Sequence, residues 1–138
     1  MNSKNTPKVL QLKKTSRLNT KDLGDKGEAV ALTFLLDNGL SLVQKNYKTP
    51  GRGGGEIDLI MKDADNTLVF VEVKKRKSLR HGGAASSITL IKQKRISKAA
   101  IIYLMDFTQL PACRFDVVLV EPAITWIKAA FELAEIHS

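Results

Sequence analysis

Two short apolar runs, Gly55-Glu56-Ile57-Asp58-Leu59-Ile60 and Val69-Phe70-Val71-Glu72-Val73-Lys74, constrain the fold of this chain more than any other stretch. Each alternates in the manner of a buried or half-buried β-strand. Asp63-Ala64-Asp65-Asn66 lies between them and is a turn-forming cluster, so the pair predicts a β-hairpin. Charge sits inside both runs. A two-residue side-chain period puts Glu56, Asp58 and Ile60 on one face of the first strand. It puts Phe70, Glu72 and Lys74 on one face of the second, and Val69, Val71 and Val73 on the other. A carboxylate in a core strand is costly unless it has a partner. A divalent cation is the simplest partner for two of them.

Register decides whether the two carboxylates meet. With Asp58 opposite Glu72, Ile60 faces Phe70 and Lys62 faces Leu68, and opposed Cβ atoms stand roughly 4.5–5.5 Å apart. A slip of one residue sets Asp58 against Val71 and sends Glu72 to the other side of the sheet. The plain alternative is an ordinary hairpin whose charges line a solvated face.

The remaining composition narrows the class. With 138 residues, 43% hydrophobic and 26% charged, the chain suits one compact domain with a real core. No apolar run approaches the roughly 18–20 residues needed to span a bilayer. The first residues, Met1-Asn2-Ser3-Lys4-Asn5-Thr6-Pro7, have no apolar secretory core, and a cytoplasmic location without membrane attachment is expected. Cys113 is the only cysteine, which excludes a disulfide framework or a cysteine zinc site; His81 and His137 suggest no histidine site. A net charge of +8 favours a polyanionic partner, nucleic acid ahead of a membrane surface.

Residues 1–19 carry Lys4, Lys8, Lys13, Lys14 and Arg17 without an acid and read as a loosely attached basic arm, with the single domain at 20–138. Asn19 or Thr20 can cap a helix that ends near Asp37-Asn38-Gly39. Its apolar arc of Leu23, Val30, Ala31, Leu32, Phe34 and Leu35 contains Glu28, either an edge residue or a third carboxylate aimed at the hairpin. A strand follows from Leu40 to Tyr47. The loop Pro50-Gly51-Arg52-Gly53-Gly54-Gly55 then leads into the hairpin, with Arg52 available for a phosphate. Beyond the hairpin lies the basic run Lys75-Arg76-Lys77, with Arg80 close behind. Ser86 or Ser87 is expected to cap a helix of about 18 residues through Tyr103-Leu104-Met105, with Lys94, Arg95 and Lys98 gathered on one side. Such basic clusters are either a solvated face or the path of a phosphate backbone. With only 6% aromatic residues, base stacking is disfavoured and backbone recognition fits better. Residues 113–120 predict a strand in which Arg114 and Asp116 pair structurally. The segment 124–133 reads as strand or helix, with Trp126, Ala130 and Phe131 packing on the sheet.

This α-β-β-β-α-β order, with Asp58 and Glu72-Val73-Lys74 on adjacent strands, resembles the core of the PD-(D/E)xK, or restriction-endonuclease-like, nuclease superfamily. A closer resemblance is to the uncharacterised bacterial YraN-like family. It is carried by Lys26-Gly27-Glu28-Ala29, the two hairpin runs, the Lys-rich helix ending at Tyr103-Leu104, Arg114-Phe115-Asp116-Val117-Val118, and Trp126 with Ala130-Phe131. The proline that often precedes the first acid of the superfamily is Ile57 here.

The resemblance implies an α/β fold, a mixed central sheet of four to five strands flanked by helices, similar to Holliday-junction resolvases. It implies metal-dependent hydrolysis of DNA, with branched or junction DNA as a candidate substrate and Glu28, Asp58, Glu72 and Lys74 as the catalytic set. Asp58, Glu72, the Val73 carbonyl and Glu28 would hold Mg²⁺ or Mn²⁺, and Lys74 would act electrostatically. A homodimer is expected by analogy with the resolvases. Three classes of function remain: a metal-dependent nuclease, a nucleic-acid-binding protein without catalysis, and a partner-binding scaffold.

Overall fold

The computed structural model describes residues 20–75 and 88–134. The basic arm, Arg76, Lys77, Arg80, Ser86 and Ser87 lie outside them. Two helices and five strands follow one another as α1 (Thr20–Asp37), β1 (Ser41–Lys48), β2 (Glu56–Lys62), β3 (Leu68–Lys74), α2 (Leu90–Leu104), β4 (Cys113–Leu119) and β5 (Thr125–Phe131). The strands form one sheet in the order β1-β2-β3-β4-β5. Neighbours are antiparallel except β3 and β4, which run parallel and are joined through α2. The fold is α/β with a mixed central sheet flanked by helices, as the family resemblance implies.

The hairpin pairs in the register that brings the carboxylates together. Ile60 faces Phe70 and Lys62 faces Leu68. Its turn is closed by Asp63 N donating to Thr67 O at 2.9 Å, with Asn66 at a φ of +71°. The antiparallel ladder stops at the pair Leu59–Val71, one residue short of Asp58.

Both faces of the sheet are covered. On one, Ala31 and Leu35 of α1 pack with Leu59, Met61, Val69, Val71 and Val118. On the other, Ile96, Ala99 and Ala100 of α2 pack with Ile60, Phe70, Phe115, Val117 and Leu119. Ile57 joins Ile60 on the α2 side while Leu59 lies on the α1 side. The strict alternation expected for β2 therefore breaks at Asp58, at the same point where the ladder ends.

Helix α1 closes as expected, with the chain reversing at Gly39 and Leu40 N donating to Leu35 O at 3.1 Å. Helix α2 differs from expectation. Its N-cap is Thr89, whose Oγ1 accepts a hydrogen bond from Lys92 N at 3.1 Å, so the helix starts later and spans 15 residues. The segment after β4 is a strand. Its alternation was obscured by Ala129, which takes a φ of +51°. Among the described residues, no helix is long and apolar enough to cross a membrane.

Candidate metal and nucleic-acid site

Where β2 and β3 part, a side chain replaces the backbone ladder. Asp58 Oδ2 accepts a hydrogen bond from Val73 N at 2.8 Å. Lys74 O accepts from Val120 N, so the peptide groups of Lys74 face β4 and, one residue earlier, those of Val73 face β2. The Val73 carbonyl thus lies on the Asp58 side of β3. Lys74 is half-buried at the end of the strand, on the face of Phe70 and Glu72.

Glu72 is 8% exposed and its carboxyl lies against that of Asp58. Burial, and then the negative charge of Asp58, push its pKa up to about 8, and the nearby Lys92 ammonium opposes them without outweighing them. Lys92 Nζ stands 3.4 Å from Glu72 Oε2 and 3.6 Å from Glu56 Oε2. The other carboxyl oxygen, Glu72 Oε1, is buried and receives no hydrogen bond from a protein donor. Two carboxyls in contact, one with an undonated oxygen, must share either a proton or a cation.

Glu28 approaches from α1. Together with Thr33 it lines a cleft of about 660 Å³ whose opposite wall is Lys45, Asn46 and Lys48 of β1 and whose floor is Glu56, Ile57 and Asp58. Among the described residues, no three His, Cys, Asp or Glu side chains stand close enough to share one cation. The donor set fits a hard cation through Asp58, Glu72 and the Val73 carbonyl, with Glu28 across the same cleft.

The glycine-rich loop beside the cleft is held firmly. Gly55 N donates to Thr49 Oγ1 at 2.7 Å, and Lys98 Nζ donates to Gly53 O at 2.8 Å. A methyl group at Gly55 would overlap the Arg95 carbonyl oxygen, so only glycine lets the loop sit this close to α2. Lys48, Arg95 and the loop backbone line a smaller groove of about 440 Å³. Arg52 is exposed on the loop and Lys94 is exposed on α2. Exposed Lys75 lays its aliphatic stem against α1, where a methyl group on Gly27 would come within 3.2 Å of it.

Sequence reasoning missed Lys45, Lys48 and Lys92 of this region, and placed Glu56 on the face of Asp58 without giving it a role. Lys92 carried a signal, since it lies one helical turn before buried Ile96 and so on the packed side of α2. The expected Arg114–Asp116 pair is present, with Nε to Oδ1 at 3.0 Å, and belongs to a separate structural network at the opposite end of β4.

The model of the uncharacterised protein family UPF0102 matches residues 27–120. The chain belongs to that family. A UPF0102 protein of Albidiferax ferrireducens is 55% identical over 120 residues, covering 86% of this chain and 94% of its own. One from Polaromonas naphthalenivorans is 51% identical over 126 residues, with 84% and 82% covered. One from Methylibium petroleiphilum is 52% identical over 117 residues, with 82% and 96% covered. The UPF0102 match spans α1 from Gly27 through β4, and so includes every element that lines the cleft.

Proposed function

We propose that this UPF0102 protein is a metal-dependent nuclease that hydrolyses phosphodiester bonds in DNA, branched or junction DNA in particular, within the cytoplasm. The observation that carries the reading is the contact between Asp58 and Glu72 at the end of the β2–β3 ladder, with Val73 bonded to the same Asp58. Two acids forced together need a shared proton or a cation, and the basic surface around them suits a site that brings a cation to a phosphate.

Asp58, Glu72 and the Val73 carbonyl would hold Mg²⁺, and Glu28, across the cleft, would reach that ion only through a bridging water. When bound, that ion supplies positive charge for the scissile phosphate and a water of lowered pKa. Lys74, next to Val73, stabilises the charge that grows on the phosphate. Lys45, Lys48 and Arg95 bind flanking phosphates, with Arg52 and Lys98 at the loop and Lys75 and Lys94 further out. Arg76, Lys77 and Arg80 extend the same basic run in sequence.

A second reading, nucleic-acid binding without cleavage, is supported by Lys92, whose ammonium already occupies a place beside Glu72. The test is a panel of labelled duplex, flap, four-way junction and single-stranded substrates with Mg²⁺, Mn²⁺ or chelator. The nuclease reading expects metal-dependent cleavage of at least one substrate by the wild type and none by Asp58→Asn. Binding without cleavage in either metal leaves the second reading standing and ends the first.

A further inference from the structure

Lys92 is oddly placed for a surface lysine. It is the third residue of α2, at the positive end of the helix dipole, where a cation is disfavoured. Its backbone amide is fixed by the Thr89 cap. Its side chain is only 31% exposed and reaches across to β2 and β3, where it meets Glu56 and Glu72 together. A flexible four-carbon stem on a pinned helix can withdraw its ammonium without moving the helix.

Resting on the metal-site reading above, we propose that Lys92 is the resident counter-cation of Glu56 and Glu72, and that its ammonium competes with a divalent cation for the Glu72 carboxylate. The physical ground is charge balance. Glu72 lies against Asp58, and Lys92 bridges Glu72 to Glu56 by ion pairs at 3.4 and 3.6 Å. A dication at Asp58 and Glu72 brings more charge than the ammonium and repels it across a few ångströms. The ammonium then leaves Glu72, and the cleft beside Glu56 becomes the nearest place where it can meet a nucleic-acid phosphate. Lys92 is thus a positioning residue that sets the cation affinity of the site.

The experiment measures Mn²⁺ affinity by titration calorimetry, with free Mn²⁺ counted by electron paramagnetic resonance. Lys92→Met keeps the stem and removes the charge. It is expected to bind Mn²⁺ about tenfold more tightly than the wild type, equivalent to about 1.4 kcal/mol. Lys92→Arg keeps a cation and is expected to bind Mn²⁺ no more tightly than the wild type. In a Glu72→Gln background the effect of Lys92→Met should shrink to less than twofold, an outcome that a merely structural lysine would not produce. Unchanged or weaker affinity in Lys92→Met overturns the proposal and leaves the metal site intact. Tighter binding in Lys92→Arg overturns it equally, on a variant that retains the ion pair. Absence of Mn²⁺ binding by every protein, wild type included, overturns the metal-site reading and this proposal with it.

Discussion

The carboxylate of Asp58 takes the place of a strand: its Oδ2 accepts the Val73 amide at 2.8 Å, at the point where the β2–β3 ladder ends. This single bond gives Asp58 two roles, one in holding β3 and one in presenting charge. The roles separate by substitution. Asp58→Ala leaves the Val73 amide without its acceptor and should destabilise the fold by about 1–3 kcal/mol, less whatever relief Glu72 gains from losing a negative neighbour. Asp58→Asn keeps an acceptor oxygen and should unfold at nearly the wild-type denaturant concentration. Urea titrations of the two variants check this.

Glu72 makes stability depend on pH with a definite sign. Its folded-state pKa is raised from 4.5 to about 8, so between those values the folded chain binds more protons than the unfolded one. The stabilisation from the protonated carboxyl is complete below about pH 4.5 and is lost as pH rises through 8. The slope is at most about 1.4 kcal/mol per pH unit. Glu72→Gln should remove this slope and melt higher than the wild type at pH 8.5, while matching it near pH 4.5. Mg²⁺ should also restore the wild type at pH 8.5. Melting curves across pH, with and without Mg²⁺, report all three effects.

The network around Asp116 should behave differently. This fully buried carboxylate accepts from Arg114 Nε, from Trp126 Nε1 at 2.9 Å and from Ala129 N at 2.9 Å. Arg114 continues to Asp63 Oδ2 at 2.8 Å, tying the hairpin turn to β4 and β5. Asp116→Ala removes the buried acceptor of three part-buried donors and should cost about 3–5 kcal/mol. At a temperature where the variant is still folded, its Mn²⁺ affinity should equal that of the wild type.

Much of this was legible in the chain. The hairpin itself followed from apolar alternation on both sides of a four-residue turn, but its register did not, because both faces of the sheet are covered and β3 offers apolar side chains to each. The pairing of Arg114 with Asp116 followed from their shared strand face. Lys92 was legible as a lysine on the packed side of α2 but its partner was not, because such a lysine usually snorkels to water. Only the tertiary placement of the first turn of α2 over Glu72 gives it another partner. Strand β5 stayed open between strand and helix because Ala129 interrupts its two-residue period. That interruption is itself held by the Asp116 carboxylate, a contact no local pattern encodes.

The basic wall of the cleft should reveal itself through salt. Lys48→Gln with Arg95→Gln removes the charges that line the groove beside the glycine-rich loop. The plot of log affinity for duplex DNA against log salt should lose about 2 from its slope, one counterion for each lost phosphate contact. Asp58→Asn should leave that slope unchanged while binding no more weakly than the wild type without metal, since it removes a charge that repels phosphate. Fluorescence anisotropy over a range of salt concentrations measures both.

The central claim is that Asp58 and Glu72 hold a divalent cation, and anomalous diffraction from crystals soaked in Mn²⁺ tests it most directly. The account predicts one strong peak between the two carboxylates and beside the Val73 carbonyl, with the Lys92 ammonium displaced from its 3.4 Å contact with Glu72. The peak should vanish in Asp58→Asn crystals under the same soak. A wild-type map with no Mn²⁺ peak at these residues, and with Lys92 still seated on Glu72, would contradict it.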